Sequence, residues 1–327
     1  MRRGLRPALV VAGFGVSAVF TYLAARNVDL DAFWAALRQS NAWWLLPALA
    51  VLALAVFVRA LRWRLVFPPR TRPPLPATTR ALLVGYLFNN ILPLRAGEAL
   101  RVVVLHEEAG TSRAEALATA VSERVYDVLA LLVLLLAASP FLPDVTWLRR
   151  AALLTVVLLV LLVVAFAVLL LYGERPVRFL LRPASRLPGL SEQRVDYAAA
   201  SIVRGFSALR RPGIAVPAFA VTVASWLLVA ASFWLVMQGF DLGVGFGAAL
   251  LVVVSINLAM VVPSSPAAVG VFEAATLVAL RAYGIEDSLA LAYAVVLHAL
   301  NFFPFVVVGL AVLYRHAALR RKTRLVT

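Results

Sequence analysis

Asn89-Asn90-Ile91-Leu92-Pro93-Leu94-Arg95-Ala96-Gly97-Glu98 interrupts an otherwise apolar stretch, 81–105, and its reading decides the fold. Proline lacks a backbone donor and clashes with the preceding turn, so a helix that reaches Ile91 must break there. A second apolar stretch, 246–280, is broken the same way at Pro263-Ser264-Ser265-Pro266. Each stretch predicts two short helices meeting at a break, a re-entrant hairpin. Such backbone is tolerated at membrane depth only where protein buries it or where it lines a wet cavity. Uninterrupted runs surround them at 7–24, 42–66, 114–138, 149–172, 212–236 and 288–314, each near the roughly 20 apolar residues that span a bilayer. The expectation is an all-α polytopic membrane protein: six transmembrane helices plus two re-entrant helical hairpins, in one domain over 1–327.

Composition agrees. The 327 residues are 63% hydrophobic and 14% charged, where soluble domains run about 45–50% apolar and about 25% charged. The net charge of +15 therefore records membrane topology rather than nucleic-acid binding, and no nucleic-acid partner is expected. With no cysteine and three scattered histidines (His106, His298, His316), disulfides, thiol chemistry and a metal centre are not expected, nor is a cofactor. Met1–Arg6 precedes the first apolar run like a signal peptide, but no convincing cleavage site follows and the run reads as a retained helix.

Basic residues fix the orientation. The segments 1–6, 59–80, 106–115, 173–211 and 315–327 hold 23 of the 31 Arg and Lys residues, which assigns them and both termini to the cytoplasm. The opposite side holds Arg26, Arg38, Arg149, Arg150 and Arg281 against six acids; Arg149-Arg150 is the local exception. This count requires both hairpins to return to the side they entered from. On this reading Arg59, Arg62 and Arg64 signal orientation and meet lipid headgroups, Trp43-Trp44 is an interfacial anchor, and 191–210 is an amphipathic surface helix.

The second half echoes the first. Pro47-Ala48-Leu49-Ala50-Val51 returns as Pro217-Ala218-Phe219-Ala220-Val221, and Pro93 returns as Pro263. Beyond the break the offset grows: Gly110 matches Gly284, Arg124 matches His298, Asp127 matches Asn301, and Glu98 matches Glu273. Repeat one is 7–138 and repeat two 149–314, and three spans between the hairpins make the halves inverted. Inverted repeats with broken helices place transporter sites at the repeat interface.

Ionisable residues at the bilayer centre cost about 2.5–3.5 kcal/mol on insertion scales and mark function by default. Arg95, Glu98 and Arg101 follow the first break, where a helix starting near Ala96 adds a positive dipole end suited to a phosphate. Glu123, Arg124 and Asp127 lie in the third span; two carboxylates to one guanidinium call for a partner, Arg95 or Arg101. Asn90 at the first break joins these candidates, as do Ser264, Ser265, Glu273, His298 and Asn301 in the second half. The competing reading is structural: paired buried ions that pin the hairpins.

Three pieces, Asn90–Glu98 with Arg101, Ser122-Glu123-Arg124-Val125-Tyr126-Asp127, and Pro263-Ser264-Ser265-Pro266 leading to Gly270-Val271-Phe272-Glu273, resemble the flippase-like membrane domain of lysylphosphatidylglycerol synthases and its stand-alone relatives. The resemblance covers about 5–315. It implies a bacterial inner-membrane protein that moves aminoacylated or other polar-headgroup lipids between leaflets. Where the family often has a glycine pair, this chain has Ala267-Ala268, so a stiffer second hairpin is expected. The thirteen residues after 314 are too few for the family's aminoacyl-transferase domain, so no enzyme activity is expected.

A lipid flippase, with a membrane phospholipid of anionic or aminoacylated headgroup as its partner, is the leading function. Alternatives are a solute or ion carrier, an intramembrane lipid-modifying enzyme using the acids in general acid–base chemistry, and a scaffold that recruits a lipid-synthesis enzyme. No nucleotide-binding motif accompanies any of them.

Overall fold

The computed structural model describes residues 5–92, 96–143, 146–173, 175–181, 192–193, 196, 211–262 and 264–324. Among these every regular element is helical. In chain order they are α1 Leu5–Ala25, α2 Leu30–Gln39, α3 Leu45–Val66, α4 Leu75–Ile91, α5 Gly97–Ala109, α6 Arg113–Ala138, α7 Thr146–Tyr172, α8 Arg175–Leu181, α9 Pro212–Gly239, α10 Phe246–Ala259, α11 Val271–Arg281 and α12 Asp287–Arg324. Pro93, Leu94, Arg95, Pro263 and nearly all of the amphipathic stretch 191–210 fall outside the described residues.

Among the described residues, three helices are long and apolar enough to cross a bilayer: Ala42–Val66, Pro212–Gly239 and Asp287–Arg315. The run Ala42–Val66 includes a short 3₁₀ turn before α3. Ala12–Ala25 and Phe246–Ala259 are apolar but shorter. α6 is long enough, but Glu123, Arg124 and Asp127 break its apolarity. Leu153, Leu154, Leu158 and Leu161 of α7 are exposed, leaving an apolar surface that water would penalise and lipid would not.

Both interrupted stretches form two helices packed on one another, α4 on α5 and α10 on α11. The first pair is wider than 81–105. It starts with proline in the first turn of α4, where a missing donor costs nothing, and ends at Gly110, which takes φ +65 to close α5. α4 and α5 cross so closely that a Cβ on Gly97 would sit 2.0 Å from the Gly85 carbonyl oxygen. Glycine is required there by backbone contact. The second break closes in a single 3₁₀ turn, Pro266–Ala268, in which Ala267 and Ala268 hold φ +60 and +58. The alanines thus occupy a left-handed backbone that a glycine pair would adopt without strain.

α1 supports that turn. The Ser265 amide donates to the Ser17 hydroxyl at 2.9 Å, which in turn donates to the Ser265 hydroxyl at 2.8 Å. α4 packs on the same 266–268 turn, so the first hairpin reaches the break of the second.

The core is the crossing of α3 and α9, where small residues such as Ala48, Ala60, Ala218 and Ala230 are fully buried and let the helices approach closely. The Ser232 hydroxyl donates to the Ala48 carbonyl across it at 2.8 Å. Every buried residue of α3 (Ala48, Leu52, Ala55, Val56, Ala60, Arg62, Trp63 and Val66) has a buried residue 170 positions later in α9. Gly110 and Gly284, matched in the sequence, both adopt positive φ ahead of α6 and α12.

Two substitutions test this geometry through the thermal unfolding midpoint in detergent. Ala267→Gly relieves left-handed strain and raises stability by roughly 0.5–1 kcal/mol, the strain of about 1–2 kcal/mol being partly offset by glycine's freedom when unfolded. Gly97→Ala drives α4 off α5 and lowers stability by about 1–3 kcal/mol. Gly15→Ala, with open space around its added methyl, does not.

Candidate functional site

α3, α5 and α6 each contribute charges to one cluster, buried at Arg62, Arg101, Glu123 and Asp127 and exposed at its Arg124 edge. On α6, Glu123 and Asp127 are one helical turn apart and share a face. Arg62 of α3 spans both: its Nη2 lies 2.9 Å from Glu123 Oε1, and its Nη1 pairs with Asp127 Oδ1. Arg101 of α5 stands 2.8 Å from Glu123 Oε2 and 2.7 Å from Glu98 Oε2, its guanidinium resting on the Trp63 ring. Arg124 pairs with Glu98 Oε1 at 3.1 Å and lies 3.7 Å from Asp127 Oδ2. The Trp226 indole donates to Asp127 Oδ1 at 3.1 Å. Three guanidiniums thus alternate with three carboxylates, and the set is neutral.

Of the two partners expected for the acids of α6, Arg101 pairs with Glu123, and Arg95 lies outside the described residues. Arg62 is the partner the sequence reading missed, having been assigned with Arg59 and Arg64 to orientation and headgroup contact. It is 3% exposed. α3 continues to Val66, which draws Arg62 inside. The available signal was spacing: Arg59 and Arg62 are three apart on the face that carries Trp63 and Val66, while Arg64 turns away to donate to the Pro73 carbonyl at 3.0 Å.

A cavity of about 360 Å³ opens beside this cluster. The first break lines it with Asn89, Asn90 and Glu98, the second with Ser264, Ser265 and Ala267. Arg101, Arg124 and Asp127 form part of its wall. A smaller cavity of about 190 Å³ adjoins it and is lined by His298 and Asn301; Arg59, Tyr86, Asn90, Trp226 and Asn257 face both.

Of the predicted residues, Asn90, Glu98, Arg101, Arg124, Asp127, Ser264 and Ser265 therefore meet at one cavity, and His298 and Asn301 at its neighbour. Glu123 and Glu273 line neither. Glu123 is fully buried behind the wall between Arg62 and Arg101. Glu273 accepts from the Gly270 amide at 2.7 Å and stands 2.5 Å from His298 Nδ1. His298 stacks on Phe272, and Asn301 donates to the Leu297 carbonyl of its own helix. α5 begins at Gly97, as expected, but Arg95 lies outside the described residues.

Arg59 is the cation that the sequence reading did not place here. Its Nη1 donates to the Tyr86 hydroxyl at 3.3 Å and its guanidinium lies over Trp226, 4.3 Å from the ring centre. Its Nε and Nη2 are buried without a hydrogen-bond partner among the described residues, and no carboxylate among them lies within ion-pair distance. A half-buried guanidinium with donors left over is a receptor for an oxyanion.

Contacts recur between the halves. Glu98 with Arg124 corresponds to Glu273 with His298. The Trp63 indole donates to the Thr119 hydroxyl at 3.1 Å; at the matched positions the Tyr293 hydroxyl donates to the Phe233 carbonyl at 3.1 Å.

Removing Arg62 leaves its two acids short of a countercharge. Arg62→Ser is expected to cost about 3–5 kcal/mol, read as a lowered unfolding midpoint. Adding Asp127→Asn restores neutrality and recovers about 1–2 kcal/mol of that loss.

No curated protein matches the chain. Residues 10–309 match the family described as the lysylphosphatidylglycerol synthase TM region. The match spans nearly all of the described helices, both breaks and every residue of the ion cluster, and the chain belongs to that family of transmembrane proteins.

Proposed function

We propose that the chain is a flippase-like lipid transporter. It carries the polar headgroup of a phospholipid or lipid-linked intermediate through the cavity between the two breaks, while the acyl chains stay in the bilayer. The observation that carries this reading is the cavity itself, bounded by both broken helices and lined by Arg59, whose Nε and Nη2 have no hydrogen-bond partner among the described residues. Membership of a lipid-synthase membrane family supports a lipid-related role.

In the proposed architecture α1, α3, α6, α7, α9 and α12 cross the membrane, while α4 with α5 and α10 with α11 are re-entrant hairpins. The bulk of the basic residues, and both termini, face the cytoplasm of a bacterial inner membrane. The matched burial of α3 and α9, the matched glycines and the matched acid–base pairs support an inverted repeat. Its axis then passes near the cavity, where transporter sites of this construction lie.

The chemistry divides by residue. Arg59 takes the phosphate. Glu98, whose carboxylate is partly exposed between Arg101 and Arg124, meets the cationic group of an aminoacylated or zwitterionic headgroup. Asn90, Ser264 and Ser265 supply neutral hydrogen bonds that replace water at membrane depth. Glu123 stands behind the wall, while Arg62, which lines the cavity, is held by its two acids. The drive comes from a gradient or from consumption of the lipid by a partner enzyme.

Leaflet exchange of a labelled phospholipid in proteoliposomes tests the reading. The wild-type chain is expected to accelerate exchange. Arg59→Ala lowers the rate about tenfold, a loss of ~1.4 kcal/mol, with little change in unfolding midpoint, and Arg59→Lys recovers part of it. Absence of protein-dependent exchange across anionic, zwitterionic and aminoacylated headgroups would overturn the reading.

A further inference from the structure

A further cavity, wholly different in lining, adjoins the smaller of the two site cavities. About 390 Å³ in volume, it runs between α3, α4 and α12 and is lined by apolar side chains, including Leu49, Val56, Phe57, Leu83, Phe305 and Val308. Its one hydroxyl, on Thr79, already donates to the Leu75 carbonyl at 2.9 Å. Nothing in it recognises a polar group. Leu49, Phe57 and Val308 are also exposed on the outer face of the bundle, so the cleft opens sideways, toward lipid.

It is joined to the polar side. Leu52, Val56 and Phe305 line both this cleft and the cavity that holds His298 and Asn301. The Phe305 ring stands edge-on to Tyr86, 5.0 Å between centres, and the Tyr86 hydroxyl accepts from Arg59. Reading along α3, the apolar contacts Leu49, Leu52, Ala53, Val56 and Phe57 end where Arg59 begins. From Leu49 to Phe57 is about 12 Å at 1.5 Å per residue, close to the ~15 Å of hydrocarbon in one leaflet. At the far wall α12 presses on α4, since a Cβ on Gly309 would come 2.6 Å from Leu87 Cβ, so the cleft has a closed side. Apolar length ending at a cation with two donors unbonded among the described residues is the shape of an amphiphile lying along α3.

We infer that this cleft is an acyl-chain slot: one chain of the transported lipid lies in it along α3, with the phosphate of the same molecule on Arg59. The inference rests on the flippase reading and sharpens it. A soluble solute or ion would use the polar cavity and leave the cleft without a role, whereas a phospholipid fills both. The slot also gives the headgroup a lateral way in, between α3 and α12, past Phe305.

The test uses the full chain in vesicles of phosphatidylcholine doped with phosphatidylglycerol that carries a photoreactive group near the end of one acyl chain. Illumination is expected to label 49–57 of α3 and 304–308 of α12, and Arg59→Ala to reduce that labelling about fivefold while labelling of the exposed face of α7 is unchanged. Ala53→Trp, which fills the cleft from its exposed side, reduces slot labelling and leaflet exchange together. Slot labelling that is absent, or indifferent to Arg59, overturns the inference, the latter because lipids that merely surround the bundle do not depend on that guanidinium. Arg59-dependent labelling without any leaflet exchange would keep the slot and remove the flippase.

Discussion

Charge in a low-dielectric interior is tolerated only when it is matched, and the first half of this protein is organised by that constraint. An isolated buried ion costs several kcal/mol, and an ion pair regains this only with good geometry on both partners. Arg62, Arg101 and Arg124 meet Glu98, Glu123 and Asp127 in an alternating arrangement, so no charge in the set lacks an opposite neighbour. The arrangement dictates where α3, α5 and α6 stand relative to one another. It also fixes α5, and through the Gly85–Gly97 contact α4, against the bundle. α5 is therefore held from one side by ions and from the other by backbone.

Neutrality of that cluster gives Arg59 its meaning. Had the three acids been shared among four guanidiniums, an additional cation nearby would be one more partner. With the cluster balanced, Arg59 lines the cavity with two buried donors unbonded among the described residues, its guanidinium against Trp226 and Tyr86. The same tryptophan donates to Asp127 through its indole, so one ring joins the wall of the cavity to its open cation. Structure and site meet at Trp226.

What the sequence disclosed follows from which forces act locally. Proline breaks, glycine closures and the i,i+4 spacing of Glu123 and Asp127 are short-range features, and the two packed helix pairs were legible from them. So was the demand for a countercharge, which narrowed the partner to Arg95 or Arg101. Arg62 was not legible, because an arginine near a helix end can reach headgroups or turn inward. Only the tertiary placement of α3 against α6 decides which. Ser17 escaped for a related reason: a serine in an apolar helix is unremarkable until the second break is packed against it. The departure at Ala267-Ala268 was visible as an absence of glycine, and its cost became specific only with the two positive φ angles.

On the proposed repeat, the faintness of the echo between the halves has a physical source. Counting 170 positions from Arg62 reaches Ser232, and the offset of 174 carries Glu123 to Leu297 and Asp127 to Asn301. Arg101 has no counterpart either, its place falling at Ala275 or Thr276, so two cations and two acids are missing together. A single survivor would have been an unmatched ion in the interior, so they can be present or absent only as a set. In the second half the surviving polar groups turn to the backbone, Ser232 to the Ala48 carbonyl and Asn301 to that of Leu297. What persists in both halves is the outer pair, Glu98 with Arg124 and Glu273 with His298, each joining the second helix of a packed pair to the long helix after it. The most conspicuous residues were the ones the second half could lose without leaving a buried charge alone. The pairing that repeats is the one that ties each broken helix to its neighbour.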